Sequence, residues 1–118
     1  MKTILLPLLI CILLVSAGCG SGSTNSSISS RIITLNMAEL AKHNSASNCW
    51  LLISGSLYNV TSFLPEHPGG EEQIIPFCGK DATAAFATKD GRGSHSDEAQ
   101  AQLTSLVLGK LGTTITLQ

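Results

Sequence analysis

The chain has 118 residues and a formal net charge of −1. Reading residues 1–18 as an export signal and 19–30 as a tether leaves 88 residues, Arg31 to Gln118, which is one small domain near the lower limit for a self-sufficient apolar core and excludes a multidomain enzyme with its own nucleotide-binding half. Without the signal the chain carries six basic and eight acidic residues and only five aromatics, a balance that excludes a nucleic-acid partner and leaves too little aromatic mass for a large core, so a disulfide, a metal or a cofactor is expected to add stability.

At the amino terminus, Lys2 supplies a basic start and Ile4 to Val15 an apolar run of twelve residues broken only by Pro7. A bilayer span takes about 20 residues, so this run suits a signal peptide instead. Val15-Ser16-Ala17-Gly18-Cys19 resembles a bacterial lipobox, with Ser16 where leucine is usual. That makes Cys19 the expected lipidated first residue of the mature chain; the plainer expectation is an ordinary signal cut near Ala17. More than one acyl chain on Cys19 would hold a small domain at a membrane stably, on the extracytoplasmic or periplasmic side. Gly20 to Ser30 is rich in serine and glycine and reads as a solvated linker spanning roughly 18 Å. Cys11 departs with the signal, so Cys49 and Cys78 remain as an even pair. They are either two buried thiols or a disulfide, which an oxidising compartment favours and which would contribute roughly 3 kcal/mol by closing its loop.

In the folded part, Arg31 to Thr34 is β-prone. Asn36 is a candidate cap for a helix in which Met37, Leu40 and Ala41 give helical spacing through Lys42. Cys49 to Ile53 is an apolar run of strand length, Ser54-Gly55 a turn, and Ser56 to Val60 a second strand, which together predict a hairpin. Thr61 or Ser62 is expected to cap a helical turn carrying Phe63 and Leu64, and Pro68-Gly69-Gly70 to break the chain sharply. Glu71 to Phe77 reads as two helical turns with acids at the end the dipole favours, and Asp81 as the cap of a short helix through Phe86. Lys89 to Ser94 is a polar loop. Asp97 to Leu108 reads as a helix with Ala99, Leu103, Leu106 and Val107 on one side, and Thr113 to Leu117 as a last strand. The class is α+β: a small sheet with several short helices arranged around something. Those helices are too short and too poor in large side chains to pack tightly on one another, so their apolar residues are expected to line a pocket.

Of three histidines, His67 stands before Pro68, which fixes the backbone, and before Gly69 and Gly70, which let the chain reverse beside the imidazole. A stiffly held histidine at a turn suits metal ligation. His95 lies in the second polar stretch just ahead of a helix, placed to face His67 across a cleft. His43 ends the first helix and is expected to bond local backbone.

The runs Asn48-Cys49-Trp50, Leu57 to Leu64, His67-Pro68-Gly69-Gly70-Glu71-Glu72 and Asp81-Ala82-Thr83 with Phe86 resemble a cytochrome b5 heme-binding domain, in order and spacing over about residues 31–112. The resemblance implies the cytochrome b5-like fold, a small mixed sheet with short helices forming a heme cleft, and non-covalent heme b as cofactor. It implies His67 and His95 as axial iron ligands, with a wider separation than vertebrate members show, the extra residues falling in 89–94. It implies Leu51, Ile53, Val60, Phe63, Pro68, Ile74, Phe86, Ala99, Leu103 and Leu106 against the porphyrin. His43 matches a family histidine that is not a ligand.

Two imidazoles and four porphyrin nitrogens fill the iron's positions, so the expected function is one-electron transfer by a monomeric, membrane-tethered b-type cytochrome that is not itself a catalyst. Its partners would be redox proteins, since nothing in the chain binds a flavin or nicotinamide. Glu66, Glu71 and Glu72 would favour ferric heme and attract a basic partner, or simply form a solvated helix start. Other readings are a binder of heme or another flat apolar ligand without redox duty, a zinc site from His67, His95 and Cys78, and a hydrolase using Cys78 and His95. Relatives of the fold that bind such flat ligands lack the two-histidine pattern.

Overall fold

The computed structural model describes Gly18, residues 29–89 and residues 91–118. The expected signal peptide through Ala17, the expected lipidation site Cys19 and the expected linker as far as Ile28 lie outside the described residues, as does Asp90.

The organising element is β3 (Asn48–Ile53), in which every residue after Asn48 is buried. Five consecutive buried apolar residues mean a strand covered on both faces. Alternation splits them: Cys49, Leu51 and Ile53 pack into one core with Val60, Leu64, Cys78, Ala82 and Leu103. Trp50 and Leu52 join a second core with Ile33, Leu35, Leu40 and Leu57.

The second core is closed by β1 (Arg31–Thr34), α1 (Met37–Leu40) and the carboxyl-terminal β7 (Thr114–Leu117). β1 and β7 pair antiparallel, Arg31 opposite Leu117 through Thr34 opposite Thr114. Asn36 caps α1 as expected, its Oδ1 accepting from the Glu39 amide at 2.8 Å. His43 follows α1 and is buried, but it bonds side chains as well as backbone. Its ring stacks on Trp50 with centroids 3.4 Å apart, and its two nitrogens meet Asn48 Oδ1 at 2.7 Å and Glu39 Oε1 at 3.4 Å. With both nitrogens engaged, His43 has none left for a metal. The Lys42 ammonium, which donates to Glu39, lowers the Glu39 carboxyl below its ordinary value against the opposing effect of burial.

One edge of β3 pairs antiparallel with β4 (Ser56–Asn59), which pairs in turn with β6 (Val107–Lys110). The hairpin turn is tight: Ser54 and Gly55 both take positive φ, 49° and 81°, the pairing a two-residue loop of this twist needs. The other edge of β3 is shared by two short strands, β2 (Asn44–Ser45), antiparallel, and β5 (Lys80–Asp81), parallel. Neither two-residue strand has a sequence pattern of its own; backbone bonds such as Gly79 N–H to Trp50 O, 2.8 Å, hold β5 in place.

Several helical expectations change. Thr61–Glu66 is a 3-10 turn with Val60 at its cap, because the Thr61 hydroxyl is turned to the strands instead, accepting from the Cys49 amide at 2.9 Å. Glu71–Phe77 is two 3-10 turns, Glu71–Gln73 and Ile75–Phe77, parted at Ile74, since Pro76 cannot donate into a continuous helix. Ala82, not Asp81, caps α2 (Thr83–Thr88). α3 (Asp97–Ser105) stops before Val107 and Leu108, which enter β6; Val107 is exposed.

Cys49 and Cys78 form the disulfide, both buried, across a separation of 29 residues. The bridge closes the segment from β3 through the hairpin and the 3-10 turns back to β5. Replacing both by alanine is expected to cost about 3–4 kcal/mol in urea unfolding, by loop-closure entropy; a loss below about 1 kcal/mol would show that the bridge adds little to the fold.

Candidate functional site

On the first-core side of β3 lies a cleft of about 480 Å³. Its floor is Leu51 and Ile53, the β3 side chains that alternation points away from Trp50. One wall runs from the end of β4 through the 3-10 turns and brings Val60, Phe63, Pro68 and Ile74 to the cleft. The other, α2 and α3, brings Phe86, Ala99, Leu103 and Leu106. All ten residues expected against a flat ligand therefore line one cavity, together with His67 and His95.

Each imidazole is fixed in the same way. His67 Nδ1 lies 2.9 Å from the Gly70 carbonyl oxygen, and His95 Nδ1 lies 2.5 Å from the Phe86 carbonyl oxygen. A carbonyl only accepts, so Nδ1 carries the proton and, in the neutral ring, Nε2 keeps its lone pair. Among the described residues no group bonds either Nε2. Both ligand-type nitrogens thus belong to rings on the cleft, each oriented by its other nitrogen, the arrangement that orients metal-bound histidine.

The Gly70 carbonyl reaches back to His67 because Gly70 adopts φ 87°, in the left-handed region that glycine enters without strain. Gly69 clears room beside the ring: a Cβ there would stand 2.9 Å from His67 Cε1. Phe63 meets His67 edge-on at 5.7 Å, and Phe86 stacks on His95 at 4.2 Å. The Phe86 carbonyl depends in turn on α2, whose start is tied by Asp81. The Asp81 carboxylate accepts from the Thr83 hydroxyl at 2.6 Å and the Thr83 amide at 2.9 Å, and these bonds hold its pKa below the ordinary carboxylate value.

Sequence reading missed Phe77, Ala82 and Ala85 on the lining. Ala82 and Ala85 stand at helical spacing with Phe86, a signal carried by small residues, and Phe77 stands three residues after Ile74. It also missed the polar rim: Gln73, Lys89, Arg92, Ser96, Glu98 and Gln102. Glu66, Glu71 and Glu72 are exposed beside the first wall. Cys78 is bound to Cys49, so it offers no thiolate to zinc or to a hydrolase. Among the described residues no group of three or more His, Cys, Asp and Glu side chains could hold a metal ion, whereas an iron already held by a macrocycle needs only two protein ligands.

An apolar slot with an oriented imidazole on each wall defines a protein that takes a flat, metal-bearing macrocycle. The chain belongs to the cytochrome b5 family: residues 36–112 match the Cytochrome b5-like Heme/Steroid binding domain. It is 45% identical over 82 residues to the seed isoform of cytochrome b5 from Nicotiana tabacum, covering 70% of this chain and 56% of that protein. Cytochrome b5 of Drosophila melanogaster is 45% identical over 78 residues, covering 66% of this chain and 55% of that protein. The chain thus spans little more than half the length of these relatives. In structure it resembles cytochrome b558 of Ectothiorhodospira vacuolata, a prokaryotic homologue of cytochrome b5. The TM-score is 0.64 at 31% identity, covering 69% of this chain and all of that one. The cytochrome b5 of Ostreococcus tauri virus 2 gives 0.56 at 40% identity, covering 67% and 96%. The family's cofactor is non-covalent heme b, and the cleft fits it in apolar lining and donor chemistry.

Two outcomes are expected of the heme-free protein. Nitrogen-15 NMR at pH 8 should show His67 and His95 protonated at Nδ1; Nε2 protonation of either would remove the oriented lone pair. A depressed carboxylate pKa contributes stability above the ordinary aspartate range near pH 4 and loses it as pH falls through the folded value. Asp81→Asn should therefore lower the melting temperature at pH 7, and the gap from wild type should narrow as the pH falls below the ordinary aspartate range; a gap constant with pH would dissociate Asp81 ionisation from the stability of α2.

Proposed function

We propose that this protein is a one-electron carrier of the b-type cytochrome class, with His67 and His95 as the two axial ligands of heme iron. The observation that carries the reading is the matched pair of Nδ1–H bonds to Gly70 O and Phe86 O, which leaves an Nε2 lone pair on each wall of one cleft. When bound, heme supplies an Fe(III)/Fe(II) couple. The chain's own part is to hold and tune it. His67 and His95 would hold the iron from the two walls and leave no position for oxygen or a substrate, which favours electron transfer over catalysis. Carbonyl bonding at Nδ1 makes each imidazole a better electron donor. Leu51, Ile53, Phe63, Ile74, Phe86, Leu103 and their neighbours exclude water and disfavour the additional charge of the ferric state. The exposed Glu66, Glu71 and Glu72 act in the opposite direction and present an acidic face to a basic redox partner. A steroid-type ligand would leave both oriented lone pairs without a role.

We further propose that the domain is exported and held at a bacterial membrane, with the signal in residues 1–18, lipid on Cys19 and the serine-rich stretch to Ser30 as tether. The sequence pattern supports this. The Cys49–Cys78 disulfide is consistent with an oxidising compartment.

The decisive measurement is an optical spectrum of the heme-loaded protein. Wild type should be six-coordinate and unchanged by carbon monoxide when reduced. His67→Ala and His95→Ala should each lose tight heme binding or open a position to carbon monoxide. An unchanged spectrum in His95→Ala would remove that residue from the ligand pair.

A further inference from the structure

The cleft lining has two chemistries. Leu51, Ile53, Val60, Ala82 and Leu103 are buried and form its deep end. At the mouth, among the described residues, stand two cations, Lys89 and Arg92, both exposed, outnumbering the one carboxylate on the lining, Glu98. Both come from the polar loop after α2, within the stretch that lengthens the separation of the two histidines.

The loop is built to hold them. Arg92 Nε donates to the Lys89 carbonyl at 3.1 Å, and Arg92 Nη2 donates to Gln73 Oε1 on the opposite wall. The guanidinium therefore bridges the rim. Of its five N–H donors, two are used in these bonds, leaving three without a partner among the described residues. Among the described residues neither Arg92 nor Lys89 forms an ion pair. Lys89 caps α2 at φ 46°, ψ 45°, a left-handed conformation that glycine would take with less strain. A helix end that tolerates this strain while carrying a cation at a cleft mouth suggests a task for the side chain.

We propose that Lys89 and Arg92 form a carboxylate clamp for the heme propionates. An amphipathic macrocycle enters with its apolar edge toward Leu51 and Ile53, and its carboxylates meet the two cations at the mouth. The Arg92 fork suits a carboxylate, and its bond to Gln73 holds it across the opening beforehand. The proposal rests on heme being the occupant.

The test compares hemin with hemin dimethyl ester, which lacks the carboxylates, in the full-length protein. The readout is the rate of transfer to excess apomyoglobin. Wild type should retain hemin longer than the ester. Arg92→Gln and Lys89→Gly should each release hemin about three- to tenfold faster, with the ester rate and the six-coordinate spectrum unchanged. Arg92→Lys should recover part of the retention, and Gln73→Leu, which cuts the bridge but keeps the cation, should fall between wild type and Arg92→Gln. Faster release of both macrocycles from Arg92→Gln would reduce the residue to a mechanical strap and overturn the clamp. Equal retention of hemin and ester by wild type would overturn it too, leaving the heme reading intact. Wild type that binds neither would overturn both.

Discussion

The cleft's chemistry depends on which nitrogen of each imidazole holds the proton. A neutral histidine offers one lone pair, and a backbone carbonyl within reach of Nδ1 decides that it sits on Nε2. Gly70 and Phe86 provide those carbonyls by different local means. The first wall uses a tight reversal only glycines make easily, with Gly69 leaving space beside the ring. The second uses a carbonyl in the last turn of α2, reached from nine residues along the chain, with Phe86 also supplying a stacking face. His95 lies in the loop between α2 and α3, but the carbonyl that orients its ring belongs to the helix.

β3 connects this site to the rest of the molecule. Leu51 and Ile53 floor the cleft, while Trp50 and Leu52 root the second core. The disulfide starts on the same strand and ends where the first wall returns to the sheet, so the wall that carries His67 is closed at both ends. Packing alone would hold that wall poorly. It is made of 3-10 turns, with a proline inside or beside them, and contains few fully buried side chains.

Much of this is legible in the sequence, and what is not has a physical cause. The hairpin, the α1 cap at Asn36 and the terminal strand follow from local pattern, and the ten apolar cleft residues from the resemblance to cytochrome b5 domains. The even cysteine pair pointed to its bridge through compartment chemistry. β2 and β5 escape notice because two-residue strands are defined by the neighbour they bond. The apolar spacing of Leu103, Leu106 and Val107 continues a helix on paper; pairing with β4 ends it at Ser105 and turns Val107 outward. Asp81 does bond the start of α2, but from one position earlier than a cap, because its backbone is already paired to β3. The rim cations carry no pattern: exposed residues in a polar loop gain meaning only when the fold sets them around an opening.

The position of Trp50, the chain's single tryptophan, has an experimental consequence. It is buried against His43 in the second core, one residue along the strand from Leu51 on the cleft floor. The indole is therefore a native fluorophore separated from the ligand slot by the thickness of a sheet. Its emission wavelength reports the integrity of the far core, while energy transfer to a nearby porphyrin would report occupancy. One residue can thus distinguish an emptied protein from a melted one without any added label.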